Sequence, residues 1–418
     1  MNLFDSSWPS LRAYLVGAYL FSVPAFAYSR IPALLLIPQA LGALLMGYAL
    51  LDILRDFKVK IPLELGLYGL MAVWAAATYA LWAIPDSLSS VELWTLIKVV
   101  AATFACAQLI KNENDLFTAI KIFAFSIVFV VYQNMAELRY LRIAGRYSEQ
   151  DRFAGTLSNP NTAAMFALAV IWAAIVVMLH SRKGLVWKLP YLLPIGLSLV
   201  IIYYSGSKKG LVGLGLFVIF LARLLYIRQK PTFFRRTATI LVSAALIVIA
   251  GYLIITSPFF FRIQESLYGV SESTGDRVIL VKEALDVWLT NVKTFFIGVG
   301  YYNFRFYSTL QLYSHSTPLE LLASTGLVGC SLFIAFLSLL ILKFVRLYRA
   351  TAEIEQKSVL FASLIFLSVY FFFMLTSVLH ASRELLPILG CLAAFGRYQL
   401  ERQKAADVPI FLDSQRPV

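Results

Sequence analysis

The sequence predicts an all-α polytopic membrane protein with about 12 transmembrane helices. Of the 418 residues, 60% are hydrophobic and only 14% are charged, and the mean hydropathy is +0.77. Soluble domains are less apolar and carry more charge. Apolar runs of about twenty residues recur along the chain, which is the length that crosses a bilayer as a helix. Lys and Arg gather in alternate loops, as they do on the cytoplasmic side of membrane proteins.

The spans are placed by apolar runs separated by polar segments. The twelve runs are at about 13–28, 32–54, 61–84, 91–110, 115–135, 160–180, 189–204, 210–227, 237–257, 318–344, 358–379 and 384–398. Ala25-Phe26-Ala27 resembles a signal-peptidase site, but the segment before it carries Asp5 and the single basic residue Arg12. We therefore expect an uncleaved first helix.

The charge bias orients these spans with both chain ends in the cytoplasm. The predicted organisation has four parts. They are residues 1–257 with spans 1–9, an outer loop domain at 258–317, spans 10–12 at 318–402, and a cytoplasmic tail at 403–418. Within the loop, apolar residues from Asp276 to Leu289 recur at helical spacing. This pattern predicts an amphipathic helix on or over the membrane.

The outer segments are unexpectedly basic. The positive residues there are Arg139, Arg142, Arg146, Arg152, Lys208, Lys209, Arg262, Arg277, Lys282, Lys293 and Arg305. Positive charge on the side where it is normally scarce indicates an anionic ligand. Snorkelling to lipid headgroups is the alternative for several of them. The net charge of +13 does not predict nucleic-acid binding, because no basic patch falls in a soluble module.

Two basic motifs are candidates for anion binding. The turn Ser205–Gly210 combines small residues, Lys208, Lys209 and a following helix N-terminus, which together can hold a phosphate. Arg277 could clamp a diphosphate through two hydrogen bonds. The alternatives are an ordinary helix–helix turn, and a solvated Arg277 beside a capping Asp276.

His315 is the candidate general base. Thr317 and Glu320 have capping-box spacing and Pro318 falls at the first helical position, so the imidazole is expected at a helix N-terminus. The positive end of the helix dipole disfavours imidazolium, and a neutral imidazole can accept a proton. His380 is the rival candidate, and a purely structural role is the alternative for both.

Asn161 follows the predicted helix start at Asn159 and Pro160, and it could hydrogen-bond a sugar. A structural cap is an equal alternative. The sequence has no P-loop, no HExxH and no paired carboxylates suited to Mg²⁺, and its three cysteines lack metal spacing. We expect no metal and no cofactor, so Arg and Lys would have to stabilise a departing diphosphate.

Together these motifs resemble the O-antigen ligase and polymerase superfamily of bacterial membrane glycosyltransferases. The similar stretches are Gly155 to Ala163, Ser205 to Gly210, Gly275 to Trp288, Gly298 to Phe304 and His315 to Gly329. The resemblance implies an undecaprenyl-diphosphate-linked glycan donor at the periplasmic face of the inner membrane, and inverting attack by an acceptor hydroxyl. It implies that His315 and Arg277 are essential. Relatives usually have arginine where this chain has Lys208 and Lys209.

Within the superfamily, the length and the single long outer loop resemble the ligase that joins O-antigen to the lipid A-core oligosaccharide. Arg146 and Arg152 would then hold the donor diphosphate or the phosphorylated core. The O-antigen polymerase and the protein O-oligosaccharyltransferases are the alternatives. A lipid-linked sugar flippase, with Lys98 and Lys121 marking a path, is less favoured because the two halves show no repeat. A non-catalytic assembly protein is the third class.

Overall fold

The computed structural model describes residues 10–27, 29, 31–82, 84, 87–144, 152–157, 159–181, 184–228 and 272–406. Within these ranges the regular secondary structure is entirely helical. The first ten α-helices are α1 Leu11–Phe26, α2 Pro32–Asp56, α3 Leu63–Leu81, α4 Ser87–Leu109, α5 Glu113–Ala124, α6 Ser126–Gln133, α7 Met135–Ala144, α8 Pro160–His180, α9 Leu192–Ser205 and α10 Lys208–Arg228. After residue 271 come α11 Glu272–Leu289, α12 Val292–Ile297, α13 Thr317–Ala350, α14 Ile354–Met374 and α15 Leu386–Ala406.

Eight helical segments are long and apolar enough to cross a membrane. They are Pro32–Asp56, Leu63–Leu81, Leu88–Leu109, Glu113–Gln133, Pro160–His180, Val186–Ser205, Thr317–Ala350 and Ile354–Met374. The predicted all-helical polytopic class is therefore confirmed. The helices over the first, eighth and twelfth predicted runs are not among these eight, and the ninth run and residues 258–271 lie outside the described residues. The count of 12 spans and the division into domains therefore remain predictions.

Helix α8 forms the centre of the core. Asn159 caps it by accepting a hydrogen bond from the backbone N–H of Asn161 at 2.8 Å, and Pro160 occupies its first turn, as the sequence predicts. Its side chains from Ala163 to Val177 are buried all round. Many of them are alanine, which lets neighbouring helix backbones approach closely.

One end of the bundle is fastened by charged groups. Ion pairs join Lys111 to Asp52 and Lys343 to Glu64, and Arg397 donates to the backbone carbonyl of Lys60. These contacts tie α2, α3, α4, α13 and α15 together at the end that the charge bias predicts to be cytoplasmic. We call this end the clamped face, and the other end the site face.

At the site face, α13 is broken where the sequence predicts one uninterrupted span. Gly326 has φ 68° and ψ −171°, so the segment Thr317–Thr325 is set off from the rest of the helix. The carbonyls near the break are satisfied from outside the helix. The Trp74 indole donates to the Thr325 carbonyl at 2.9 Å, and the Val299 N–H donates to the Ala323 carbonyl at 2.9 Å.

Helix α11 covers this broken helix. It begins at Glu272, four residues before the predicted start, and its amphipathic face buries Leu280 and Ala284 against Phe304 and Ala323. The chain then turns at Asn291, whose side chain forms a capping box with Thr294 at the start of α12. Helix α11 therefore packs on α13 at the site face.

Candidate functional site

A cavity of about 250 Å³ opens at the site face. Four parts of the chain meet there: the N-terminal half of α4, the start of α8, the segment leading into α13, and the loop between α14 and α15. Its lining includes Glu92, Thr95, Asn159, Asn161, Tyr301, Tyr302, Tyr313, His315, Ser377, His380, Arg383 and Glu384. The lining is mainly polar, which suits a hydrogen-bonding ligand.

His315 lines this cavity in a strained backbone conformation. Its φ is 57°, in the left-handed region that costs a residue with a side chain about 1–2 kcal/mol. The buried Glu320 carboxylate holds the turn by accepting hydrogen bonds from Ser314 N–H at 2.9 Å and Ser324 Oγ at 3.1 Å. Strain that the surroundings maintain at one residue is typical of functional sites.

The helix start differs from the predicted capping box. Ser316 is the N-cap and makes no side-chain cap hydrogen bond. The Thr317 hydroxyl instead donates to the Ser377 carbonyl at 2.6 Å and accepts from Leu379 N–H at 2.8 Å. The left-handed turn at His315 brings Ser314 to the Glu320 carboxylate. This carboxylate therefore stabilises the turn and does not complete a capping box. Thr317 thereby joins the His315 segment to the loop between α14 and α15.

The imidazole of His315 is neutral at pH 7. Burial, followed by the positive charges of Arg277 and Lys209, lowers the pKa of His315 to about 4. The Tyr313 ring packs edge-on against the imidazole with a centroid separation of 4.5 Å. The sequence predicted a neutral imidazole because of the helix dipole. The structure adds desolvation and two nearby cations as the causes.

Two of the basic residues predicted for the anion site, Lys209 and Arg277, act electrostatically on His315. Lys209 is 9% exposed, and its amino group donates to the Thr376 carbonyl and to Ser377 Oγ, the latter at 2.8 Å. Lys208, the first residue of α10, is half-buried. Arg277 is exposed on α11, and its charge acts on both His315 and Lys209. Arg146 lies outside the described residues.

Arg152 and Asn161 form one hydrogen-bonded unit with the Ser205–Gly210 turn. Arg152 Nε donates to the Ser205 carbonyl at 2.8 Å, and its Nη2 donates to Asn161 Oδ1 at 3.4 Å. Ser207 Oγ donates to the same amide oxygen at 3.0 Å. Arg152 also lies close enough for its charge to act on Lys209. The structure therefore brings six of the seven predicted site residues to one region of the site face.

Replacing Lys209 by methionine is expected to raise the pKa of His315, because one of the two cations that disfavour imidazolium is removed. Lys209→Arg keeps the charge and should leave that pKa low. The measurement is the pH dependence of diethylpyrocarbonate modification at His315, followed by mass spectrometry. Diethylpyrocarbonate reacts with the neutral ring. The pH below which modification declines should therefore be higher in Lys209→Met than in wild type or in Lys209→Arg. An unchanged pH profile of modification in Lys209→Met would show that Lys209 does not act on this imidazole.

His380, the rival candidate, lines the same cavity but is 1% exposed. Burial lowers the pKa of His380 to about 4. Its Nε2 lies 3.0 Å from the Tyr301 hydroxyl, and within the described part of the chain its Nδ1 has no hydrogen-bond partner. The Tyr68 hydroxyl donates to its backbone carbonyl at 3.0 Å. His380 is thus held more rigidly than His315 and has less access to a substrate.

Acidification should destabilise the protein through His380. The folded-state pKa of about 4 lies below the ordinary 6.5, so the unfolded chain binds a proton first as pH falls. The stability is complete above pH 6.5 and decreases towards pH 4, by on the order of 3 kcal/mol. We expect the thermal midpoint of His380→Gln to vary less with pH over this window than that of wild type. Equal slopes in the two proteins would contradict the prediction.

The sequence did not single out several residues that line the cavity. The loop 375–385 contributes Ser377 and Glu384, and the segment after Gly300 contributes Tyr301 and Tyr302. Glu92 comes from the N-terminal part of α4. The stretch Gly298 to Phe304, which resembles the superfamily, contains these two tyrosines and would have identified them as candidates. The loop offered no motif beyond His380, because only the packing of α14 and α15 brings it beside His315.

No group of three His, Cys, Asp or Glu side chains that could hold a metal ion occurs among the residues for which the structure gives positions. Cys106, Cys330 and Cys391 are buried as free thiols.

The fold and the cavity define a multi-pass membrane protein with a cation-rimmed polar site at one face of its helical bundle. Residues 193–334 match a family model described as O-Antigen ligase. This segment contains Lys208, Lys209, Arg277 and His315, and its match to that family model supports the resemblance found in the sequence. No curated protein matches the chain.

Proposed function

We propose that the protein is an O-antigen ligase, which transfers a glycan from an undecaprenyl-diphosphate carrier to the lipid A-core oligosaccharide. The observation that carries the proposal is a neutral His315 in a polar cavity, within the electrostatic reach of Lys209 and Arg277. A neutral base beside positive charge suits a reaction in which one oxygen loses a proton and another oxygen leaves as an anion.

In the proposed mechanism, His315 accepts the proton of an acceptor hydroxyl while that oxygen bonds to the anomeric carbon of the donor sugar. The bond between this carbon and the diphosphate oxygen breaks, and the diphosphate leaves with the electron pair. Because attack is opposite the leaving group, the anomeric configuration inverts. Arg277 and Lys209 stabilise the charge that develops on the diphosphate, without a metal ion.

Arg152 and Asn161 have a supporting role in this proposal. Asn161 lines the cavity, and its amide oxygen accepts from both Arg152 and Ser207. The amide nitrogen can then meet a sugar or phosphate oxygen, while Arg152 adds positive charge beside Lys209. Lys208 and Arg146 would extend the cationic surface around the donor diphosphate or the phosphorylated core.

The proposed orientation places the site face in the periplasm and the clamped face in the cytoplasm of a bacterial inner membrane. The basic loops between spans support this orientation through the positive-inside rule. Residues 258–317 would then form the periplasmic loop domain between spans 1–9 and 10–12. The residues after 402 would form a cytoplasmic tail.

The test is a transfer assay with the purified full chain in nanodiscs, an undecaprenyl-diphosphate-linked glycan and lipid A-core acceptor. Glycan-bearing lipid A-core, formed equally well in EDTA, supports the metal-independent ligase. If the glycan on the carrier grows longer while the acceptor stays unmodified, the protein is the polymerase and not the ligase. If the donor crosses the bilayer and no new glycosidic bond forms, the protein is a flippase and not a ligase. His180→Ala, at the clamped face, serves as an active control.

A further inference from the structure

The polar cavity has a wall of carboxyl groups that the proposed mechanism does not use. This carboxyl wall consists of Glu92, Thr95, Ser382, Arg383 and Glu384. The first two residues belong to α4, and the other three belong to the loop between α14 and α15. Glu92 is half-buried and Glu384 is only 5% exposed. Carboxyl groups removed from water to this extent need hydrogen-bonding partners.

Contacts within the carboxyl wall fix its arrangement. Arg383 Nη2 donates to Thr95 Oγ1 at 2.9 Å, which joins the loop to α4. Ser382 Oγ donates to Glu384 Oε2 at 3.0 Å. The charge of Arg383 acts on both Glu92 and Glu384. One guanidinium group is thus shared by two carboxyl groups, so the wall has no surplus positive charge for an anionic ligand.

A buried nitrogen in the same cavity lacks a partner. His380 lines the cavity and is 1% exposed. Its Nε2 lies 3.0 Å from the Tyr301 hydroxyl, but its Nδ1 makes no hydrogen bond to any residue that the structure describes. A buried polar atom without a partner costs about 1–3 kcal/mol. A ligand that brings a hydroxyl group to Nδ1 would remove this cost.

The groups around the cavity suit a ring that carries hydroxyl groups. Carboxylate oxygens accept hydrogen bonds from hydroxyl and ammonium groups, but not from another carboxylate or a phosphate. Tyr301 and Tyr302 also line the cavity, and the charge of Glu92 acts on both phenol groups. The volume of about 250 Å³ exceeds the roughly 150 Å³ of an apolar cavity that holds one benzene ring. One six-membered sugar ring therefore fits.

The cations of the proposed mechanism lie elsewhere. Lys209 and Arg277 act on His315 from outside the cavity lining, whereas His315 itself lines the cavity. A departing diphosphate belongs with these cations, because the carboxyl wall would repel it. A sugar inside the cavity can bring a hydroxyl group to His315 while the diphosphate stays outside. The cavity therefore suits the acceptor better than the charged part of the donor.

We infer that the polar cavity binds one uncharged or amino sugar of the acceptor, and that Glu92 and Glu384 are specificity-determining residues that exclude acidic sugars. The inference rests on the proposed function and deepens it, since it names the class of sugar that supplies the attacking hydroxyl. An amino sugar can donate from its ammonium group to either carboxylate. An acidic sugar would face two carboxyl groups whose one guanidinium partner is already shared.

The experiment measures sugar binding to the full chain in phosphatidylcholine nanodiscs by saturation-transfer difference NMR. The probes are methyl glucoside, methyl glucosaminide and methyl glucuronide. Wild type should bind the first two and should bind the glucuronide roughly tenfold more weakly than the glucoside, or by about 1.4 kcal/mol. In Glu92→Gln and in Glu384→Gln the two dissociation constants should come within about threefold of each other, because an amide can donate to a carboxylate.

The comparison is made within each protein, so a partial loss of folded protein does not change the ratio. Asp286→Asn is the control, because it removes a carboxylate from an exposed position on α11, outside the cavity lining. This variant should keep the wild-type preference. In the transfer assay, Glu92→Gln should raise the KM for the acceptor and leave the KM for the donor unchanged.

Equal binding of the glucoside and the glucuronide to wild type would overturn the inference, as would an unchanged preference in both glutamine variants. A rise confined to the KM for the donor would also overturn it, because the donor sugar would then occupy the cavity. The proposed function fails separately. Selective sugar binding in a protein that transfers no glycan keeps the sugar site and removes the ligase. Transfer by a protein without the preference keeps the ligase and removes the inference.

Discussion

Replacing His315 by alanine should lower the turnover of glycan transfer by about 10²–10⁴-fold, the usual contribution of a positioned general base. The reason is specific to the structure. His315 lines the polar cavity as a neutral imidazole, and a strained turn anchored by Glu320 fixes its orientation. The measurement is the single-turnover rate of His315→Ala with purified donor and acceptor, beside His180→Ala as the active control.

The pH dependence gives an independent test of the same assignment. With a pKa of about 4, His315 is in the base form throughout the neutral range. Burial, followed by the charges of Arg277 and Arg152, lowers the pKa of Lys209 to about 7, so Lys209 becomes fully charged only below about pH 6. The wild-type rate should therefore stay level between about pH 6 and 5 and fall as the pH passes through 4. The residual rate of His315→Ala should lack this limb. If His380→Gln loses the limb and His315→Ala retains it, His380 is the base and the assignment is wrong.

Replacing Gly326 by alanine should prevent accumulation of folded protein. A Cβ at this position would lie 2.3 Å from the backbone carbon and oxygen of Phe296, and φ is 68°. Both obstacles are in the backbone, so no side chain can rotate to relieve them. The cost should exceed about 4 kcal/mol, in the range of the most damaging single substitutions.

Thermal unfolding in detergent, followed by size-exclusion chromatography, measures this effect. Gly47→Ala and Gly66→Ala are matched controls, because they are helical and an added Cβ at either meets nothing within 4 Å. Alanine there should be neutral or stabilising by up to about 1 kcal/mol. A folded Gly326→Ala protein with a wild-type midpoint would contradict the steric argument.

Features with a local cause were predictable from the sequence. Runs of apolar residues predict the helices because the membrane selects for length and hydropathy, and the start of α8 follows from Asn159 and Pro160. His315 was proposed from the helix-start pattern of Thr317, Pro318 and Glu320, and the cations from basic residues in segments where the charge bias makes them scarce. These signals did not require knowledge of which helices are neighbours.

Features that depend on packing between distant segments were not predictable. Gly326 lies within an apolar run that predicts continuous helix, and only the approach of Phe296 forces the break. The left-handed turn at His315 depends on Glu320, which has the spacing of an ordinary capping box. The contribution of the loop 375–385 depends on Thr317, whose hydroxyl could equally have capped its own helix.

Contacts between helices hold both ends of the bundle. Ion pairs do so at the clamped face, where Lys111 meets Asp52 and Lys343 meets Glu64. At the site face, Thr317 joins the start of α13 to the loop between α14 and α15, and Lys209 joins α10 to the same loop. The walls of the polar cavity are therefore in place before a substrate arrives, so little of the binding free energy is spent on ordering them.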